Sequence, residues 1–324
     1  MGRLGLPEEF EYYAYQVAGH VDTNIDQQHD LTAEQVIQKI GIVRHIPTSH
    51  ILKPCQPCPR GDREISVYES VFMRRLSENL DQPKVNPDEP YVSLAKFIPK
   101  YFGTRALDVG GYAIAFIELE DITLKFRQKC VLDVKMGGRT WDPYAPSKKR
   151  DAAIRKYPIG EKLGFRFLGM NVHINSHEIV RDKAWGRQLT ENDVVPALHL
   201  YTGEGHLTYQ YRHRVLTRLL AHLMDIHAWF GSQRSLLFYS SSILIVYEGD
   251  ESSPGSDQEL SSSRSGQPLL CNVKMVDFTH TFTQSAADGG QKDTNYLHGL
   301  GAFIDFVTKV RDECGKLASK EVVK

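Results

Sequence analysis

The sequence lacks any hydrophobic run that could cross a membrane. Its apolar stretch Ile243–Val246 falls far short of the ~20 residues a spanning helix needs. It lacks a charge imbalance. The formal net charge is −1, so no global field selects nucleic acid or an anionic membrane, and any anion preference must come from local clustering. It is poor in cysteine. The five thiols, Cys55, Cys58, Cys130, Cys271 and Cys314, are odd in number and sparse, which predicts a reducing compartment and no disulfide framework. Cys55-x-x-Cys58 has no second such pair and no nearby histidine pair, so it reads as two ordinary thiols. The opening MGRLGLPEEFEYYAYQ has no apolar core of a secretory signal, and Leu6 stands where a myristoylation motif after Gly2 wants Ser or Thr. No internal repeat is visible. These absences predict a soluble intracellular protein.

What is present is ordinary globular composition: 324 residues, 41% hydrophobic and 24% charged, enough for one large domain or two lobes. Residues 249–268 are rich in Ser, Gly and Pro and read as a long loop inserted between two apolar strands. Residues 82–90 form a shorter proline-rich loop. Helices are predicted at 64–78, with Ile65, Tyr68, Phe72 and Leu76 on one stripe, at 215–230, stopped by Gly231, and at 296–312. Strands are predicted at 42–53, 112–120, 130–136, 165–174, 236–247 and 273–278. The order predicts an α+β chain in two lobes, 1–121 and 122–324.

Several polar residues sit where strands should be apolar. In CVLDVKMG, residues 130–137, strand alternation sends Leu132, Val134 and Met136 to one face and Val131, Asp133 and Lys135 to the other. An acid and a base then share a face just before Gly137 and Gly138, where the chain can approach a ligand closely. Taken alone, this reads equally as an ion pair on a solvated face. In VKMVDFTHT, residues 273–281, Asp277 ends an apolar strand and His280 follows. Such a carboxylate can hold Mg2+ beside phosphates, or merely cap a turn.

Lys53 ends a strand, and Glu64 lies eleven residues later near a helix start. That pairing is how protein kinases hold the phosphates of ATP. IELED, 117–121, ends a strand in acids where a lobe connection could offer backbone groups to an adenine. SKKRDAAIRKYP, 147–158, gathers cations, and Lys149 and Lys156 are two helical turns apart on one face. Arg60 adds another before the Glu64 helix. Paired cations suit a polyphosphorylated ligand, although a charge run is usually a solvated helix face. His222 and His227 are five apart, on different helix faces, and form no metal pair. Together the set suits phosphoryl transfer from ATP to an anionic small molecule.

CVLDVKMG resembles the PxxxDxKxG signature of the inositol polyphosphate kinase family. SSSILIVYEG (240–249), VDFTH (276–280), QVAGH (16–20) and KYP with LGFRFLGM (156–170) are similar to further blocks of that family, in its order, over roughly residues 16 to 310. The short stretch Asp133–Gly164 and GGRTWDPYAPSKK resemble its multikinase branch more than its trisphosphate 3-kinases or hexakisphosphate kinases. The resemblance implies a two-lobed α+β fold, distantly protein-kinase-like, with ATP in a cleft between the lobes. It implies ATP and Mg2+ as cofactors and inositol tris- to pentakisphosphates as acceptors, with phosphoinositide headgroups a further acceptor class. Lys53 would contact ATP phosphates, steadied by Glu64. Glu120 and Ile122 would meet adenine through backbone atoms. Asp133 would sit between ribose and the reacting hydroxyl, and Lys135 would clamp the transferring phosphate. Asp277 would bind Mg2+. Arg60, Lys149, Lys156, Lys183 and His280 would grip the inositol phosphates. Nothing in the sequence demands more than a monomer, and by family analogy the protein would be found in the nucleus as well as, or instead of, the cytoplasm.

The chain departs from the pattern at three places. Lys129 replaces the signature proline, Ala152 and Ala153 stand where some relatives carry glutamines, and Ile243 follows Ser242 where leucine is usual. The alanines bear on substrate preference. An inositol-phosphate-binding scaffold with weak catalysis is the competing class, and the presence of Lys53, Asp133, Lys135 and Asp277 together argues against it. A nucleic-acid binder is disfavoured, since aromatics do not interleave with the basic cluster.

Overall fold

The computed structural model describes residues 4–17, 31–78, 90–252, 270–284 and 290–321, without the side chains of 73–78. The glycine of QVAGH, the side chain of Leu76 and most of the two predicted loops therefore lie outside the described residues. The chain forms two compact units: Met1–Asp121 with Asp277–Thr281, and Ile122–Val276 with Phe282–Lys324.

In the first unit, β1 (Phe10–Tyr12), β2 (Val43–His45), β3 (Ile51–Pro54), β4 (Tyr101–Val109) and β5 (Tyr112–Leu119) form an antiparallel sheet in the order β1-β2-β3-β5-β4. The predicted strand 42–53 is in fact the hairpin β2–β3. Its tight turn carries Pro47 and a left-handed Ser49 at φ 60°. Helix α1 (Ala33–Ile40) starts at a capping box, in which Thr32 accepts from the Gln35 N–H and Gln35 accepts from the Thr32 N–H. It buries Val36 and Ile40 with Val43, Leu52, Leu107, Val109, Ile114 and Phe116. Each such side chain contributes about 1.5–3 kcal/mol when fully removed from water.

Helix α2 (Arg60–Glu78) begins one turn earlier than predicted. Its covered stripe is Glu64, Val67, Tyr68 and Val71, while Phe72 stays exposed. The buried face is thus rotated from the predicted one, and it includes a carboxylate. A short helix, α3 (Pro90–Leu94), follows.

The second unit has the antiparallel sheet β11-β10-β6-β7-β8, from β6 (Lys129–Met136), β7 (Phe165–Ile174), β8 (His177–Arg181), β10 (Ser242–Glu248) and β11 (Cys271–Val276). Two short strands, β9 (Leu236–Phe238) and β12 (Thr281–Thr283), lie outside both five-stranded sheets. The predicted strand 236–247 breaks at Tyr239–Ser241, where Ser240 is left-handed. Tyr247 pairs with Cys271, so the strands on either side of the Ser-rich segment are antiparallel neighbours. The helices are α4 (Ser147–Lys156), α5 (Gly160–Leu163), α6 (Lys183–Gln188), α7 (Val194–Tyr201), α8 (Tyr209–Ser232) and α9 (Thr294–Glu321). Helix α8 packs on α9 and β11, and α9 reaches β6 and β7. Gly231 does not stop α8, which runs on to Ser232. Both long helices are amphipathic, and no described helix is long and apolar enough to cross a membrane.

His222 faces the β11 side of α8. Burial, then the Arg218 guanidinium, push its imidazole down to about 4. A base depressed on folding stays neutral in the native state while the unfolded chain takes up a proton. Stability is therefore full above pH 6.5 and falls as pH drops from there towards 4. The loss expected is about 3 kcal/mol. Urea titrations at pH 7.5 and 4.5 should show His222→Gln losing less across that window than the parent protein. Equal losses would mean another group controls the acid limb.

Candidate active site

The first unit brings Lys53, Glu64 and Asp277 together. Lys53, on β3, donates to Glu64 Oε1 at 2.7 Å and also to Asp277 Oδ1. Glu64 is 0% exposed, and its Oε1 also accepts the Phe278 N–H at 3.1 Å. Glu64 therefore orients the lysine and pins the backbone beside Asp277. Phe278 is buried edge-on to Tyr68, with ring centroids 5.3 Å apart. The phenylalanine of the VDFTH segment thus anchors the turn, and Asp277 takes a left-handed φ of 67° directly after β11. Few non-glycine residues adopt that conformation, and it recurs at functional sites. Burial lowers the Lys53 ammonium, but the carboxylates of Asp277 and Glu64 outweigh it and hold the group above the usual lysine value.

His280 lies half-buried in the same unit, and Arg60 is exposed at the first position of α2. Glu120 follows β5. Its N–H donates to the Lys100 carbonyl and its carboxylate accepts the Lys100 N–H, which leaves its own carbonyl as the backbone atom for a ligand. Ile122 is buried at the start of the second unit.

The second unit holds Asp133 and Lys135 on its central strand. The face they share is not solvated. Asp133 is 5% exposed, and the strand is covered on both sides except at Lys129 and Lys135, which are half-buried. A surface ion pair is thereby excluded. Asp133 stands opposite Gly169, which has no side chain to fill that space, beside a bulge in β7. Lys135 donates to the Ser240 carbonyl at 2.9 Å and to Ser240 Oγ at 2.8 Å. The left-handed turn at Ser240 aims both oxygens at the ammonium.

The two glycines after Met136 serve the protein itself. A Cβ on Gly137, where φ is 88°, would meet Asn295 Nδ2 at 2.3 Å, and one on Gly138 would meet Gly160 O at 2.9 Å. They let α5 and α9 close on the strand end, beside a cavity that both glycines also line.

Lys149 and Lys156 occupy opposite ends of exposed α4 and keep different company. Lys149 is 4.0 Å from Asp142. Lys156 is depressed by burial, then by Arg187, Arg166 and Lys183. Lys183 is the first residue of α6. Ser240 and Arg166 join the site without a local signal in the sequence. The run Ser240–Ser242 was visible as a motif, but not its bond to Lys135. Among the described residues, no group of three or more His, Cys, Asp or Glu side chains could hold a metal ion. A single strand-end carboxylate fits Mg2+, which keeps few protein ligands and takes the rest from phosphate and water.

A family model described as inositol polyphosphate kinase matches residues 116–308. The chain is 30% identical to human inositol polyphosphate multikinase over 89% of its own length and 64% of that protein's. It is 29% identical to inositol polyphosphate multikinase alpha of Arabidopsis thaliana over 80% of this chain and 86% of that protein. The chain thus spans under two thirds of the human relative. Among solved structures, inositol phosphate multikinase from S. cerevisiae, in complex with ADP and Mn2+, superposes with a TM-score of 0.62 at 23% identity, covering 80% of this chain and 98% of that one. The likeness bears out the α+β fold expected from the sequence.

Proposed function

Because the chain belongs to the inositol polyphosphate kinase family, we propose that it transfers the γ-phosphate of ATP to hydroxyls of inositol polyphosphates, from the trisphosphate upward. The observation that carries this reading is the Lys53–Glu64–Asp277 cluster. A buried glutamate steadies a strand lysine beside a carboxylate held in a left-handed turn.

In this reading Lys53 neutralises nucleotide phosphates, and Asp277 holds Mg2+ that arrives with the nucleotide. The ion, when bound, spreads phosphate charge. Glu120 and Ile122 take the adenine through backbone atoms. Asp133, buried on β6, orients the attacking hydroxyl and can accept its proton. Lys135, fixed by Ser240, neutralises charge that builds on the transferring phosphoryl group. Arg60, Lys149, Lys156, Lys183 and His280 bind acceptor phosphates. Phosphoryl transfer asks for little beyond positioning and charge neutralisation, and these residues supply both. A lipid-borne inositol ring is a second acceptor class.

Incubation with ATP, Mg2+ and inositol 1,4,5-trisphosphate, followed by anion-exchange chromatography, tests the proposal. Successive tetrakis- and pentakisphosphate peaks are expected. A single tetrakisphosphate peak would narrow the activity to a 3-kinase, and ligand binding without product would make the protein a scaffold.

A further inference from the structure

Arg166 on β7 is paired directly with Lys135 on β6, so the two side chains leave the same sheet face. Both line a cavity whose wall also includes Gly137, Thr140, Ala153 and Tyr157. The Arg166 guanidinium lies 5.4 Å from the Tyr157 ring centroid, and its Nε is buried without a hydrogen-bond partner. Among the described residues it makes no ion pair with a carboxylate. Burial, then Arg187, lower its affinity for its proton, with Tyr157 and the Asp133 carboxylate acting in the opposite direction. Arg166, Lys183 and Arg187 also crowd Lys156 at the end of α4. Lys183 and Arg187 are one turn apart on α6, which packs on β7.

Cations from three elements thus gather around Arg166, which lines the cavity with Lys135 and Glu161; Asp133 is the carboxylate that acts on Arg166, and among the described residues neither Arg166 nor Lys156 is ion-paired. Such an arrangement costs stability in the free protein, and a bound anion would relieve it. Ala153 gives the α4 wall no donor at the cavity. At that point of the wall Arg166 supplies donors from β7, in addition to the lysines of α4.

We propose that Arg166 forms an additional phosphate subsite in the acceptor pocket and selects the more highly phosphorylated inositol rings. The inference rests on the kinase reading for the identity of the acceptor. The guanidinium, stacked on Tyr157 and facing Lys135, can present two N–H groups to one phosphate, which a lysine cannot do.

The test uses the intact protein, Arg166→Met and Arg166→Lys. Binding of inositol tris-, tetrakis- and pentakisphosphate is measured by calorimetry without ATP, and KM and kcat are measured in parallel. In Arg166→Met, affinity for the tetrakis- and pentakisphosphates should fall about tenfold or more. The trisphosphate should change far less, KM for ATP should hold, and Arg166→Lys should fall between. The melting temperature of Arg166→Met should stay level or rise, since a desolvated cation is removed. Should the Met variant fail to fold, the same affinity ratios are read from Arg166→Lys. Equal losses for every acceptor, or no loss, would overturn the subsite. If the parent protein transfers phosphate but the ratios do not move, the subsite falls and the kinase reading stands. If it binds with the expected ratios but transfers nothing, the kinase reading falls and the subsite stands. If it neither binds nor transfers, both fall.

Discussion

Lys135→Ala should lower kcat for inositol trisphosphate about a thousandfold while leaving KM for ATP within a few-fold of the parent. The expectation follows from position. The Lys135 ammonium is fixed by two oxygens of Ser240, so it is already placed when negative charge builds in transfer. A preorganised cation at that point acts on the transition state more than on the ground state, which is why kcat rather than KM should move. The variant should remain folded. It deprives the Ser240 oxygens of one donor at a half-buried position, a cost of about 1 kcal/mol. A folded Lys135→Ala protein with kcat within tenfold of the parent would remove Lys135 from the chemistry.

The second large effect is on stability. Lys53→Met should destabilise the protein by about 4 kcal/mol, because it strands Glu64 as a fully buried carboxylate. The contact with Asp277 adds less, since that side chain is partly exposed and water screens it. Lys53 is held above the ordinary lysine value. Its contribution is therefore complete at every pH below that value and is lost only as pH rises through the native-state value. The parent protein should show no pH dependence from this group between pH 5 and 9. The double variant Lys53→Met with Glu64→Gln should recover much of the loss, since a neutral amide is far cheaper to bury than an unpaired charge. Urea unfolding of the three proteins measures this. A loss under 1 kcal/mol for the single variant would mean that Glu64 does not depend on the lysine.

Legibility in the sequence tracked how local the causing signal was. The pairing of Lys53 with Glu64 could be read, because a strand lysine and a helix glutamate follow one another within eleven residues. The contact of Lys53 with Asp277 joins residues 224 apart, and no local pattern announces it. The strand at 130–136 could be read from alternation, but the burial of Asp133 could not. It depends on β10 and β7 lying on either side and on Gly169 standing opposite.

The breaks at Ser49 and Ser240, and the turn at Asp277, are left-handed backbones on residues other than glycine. Composition marks such turns only when glycine fills them. Strand β4 was not predicted, because exposed and covered positions alternate along most of it without a continuous apolar face. Arg166 sat inside LGFRFLGM and looked like a lone charge in an apolar strand. Only the register with Lys135 and the approach of α4 and α6 make it part of a cationic cluster.

The central claim is transfer itself, and label transfer from ATP tests it most directly. The protein would be incubated with inositol 1,4,5-trisphosphate, Mg2+ and ATP labelled in the γ-phosphate. Label is expected in the inositol tetrakisphosphate product, and none when Lys135→Ala replaces the parent protein. Label released only as inorganic phosphate, or retained in ATP while the trisphosphate is bound, would contradict that claim.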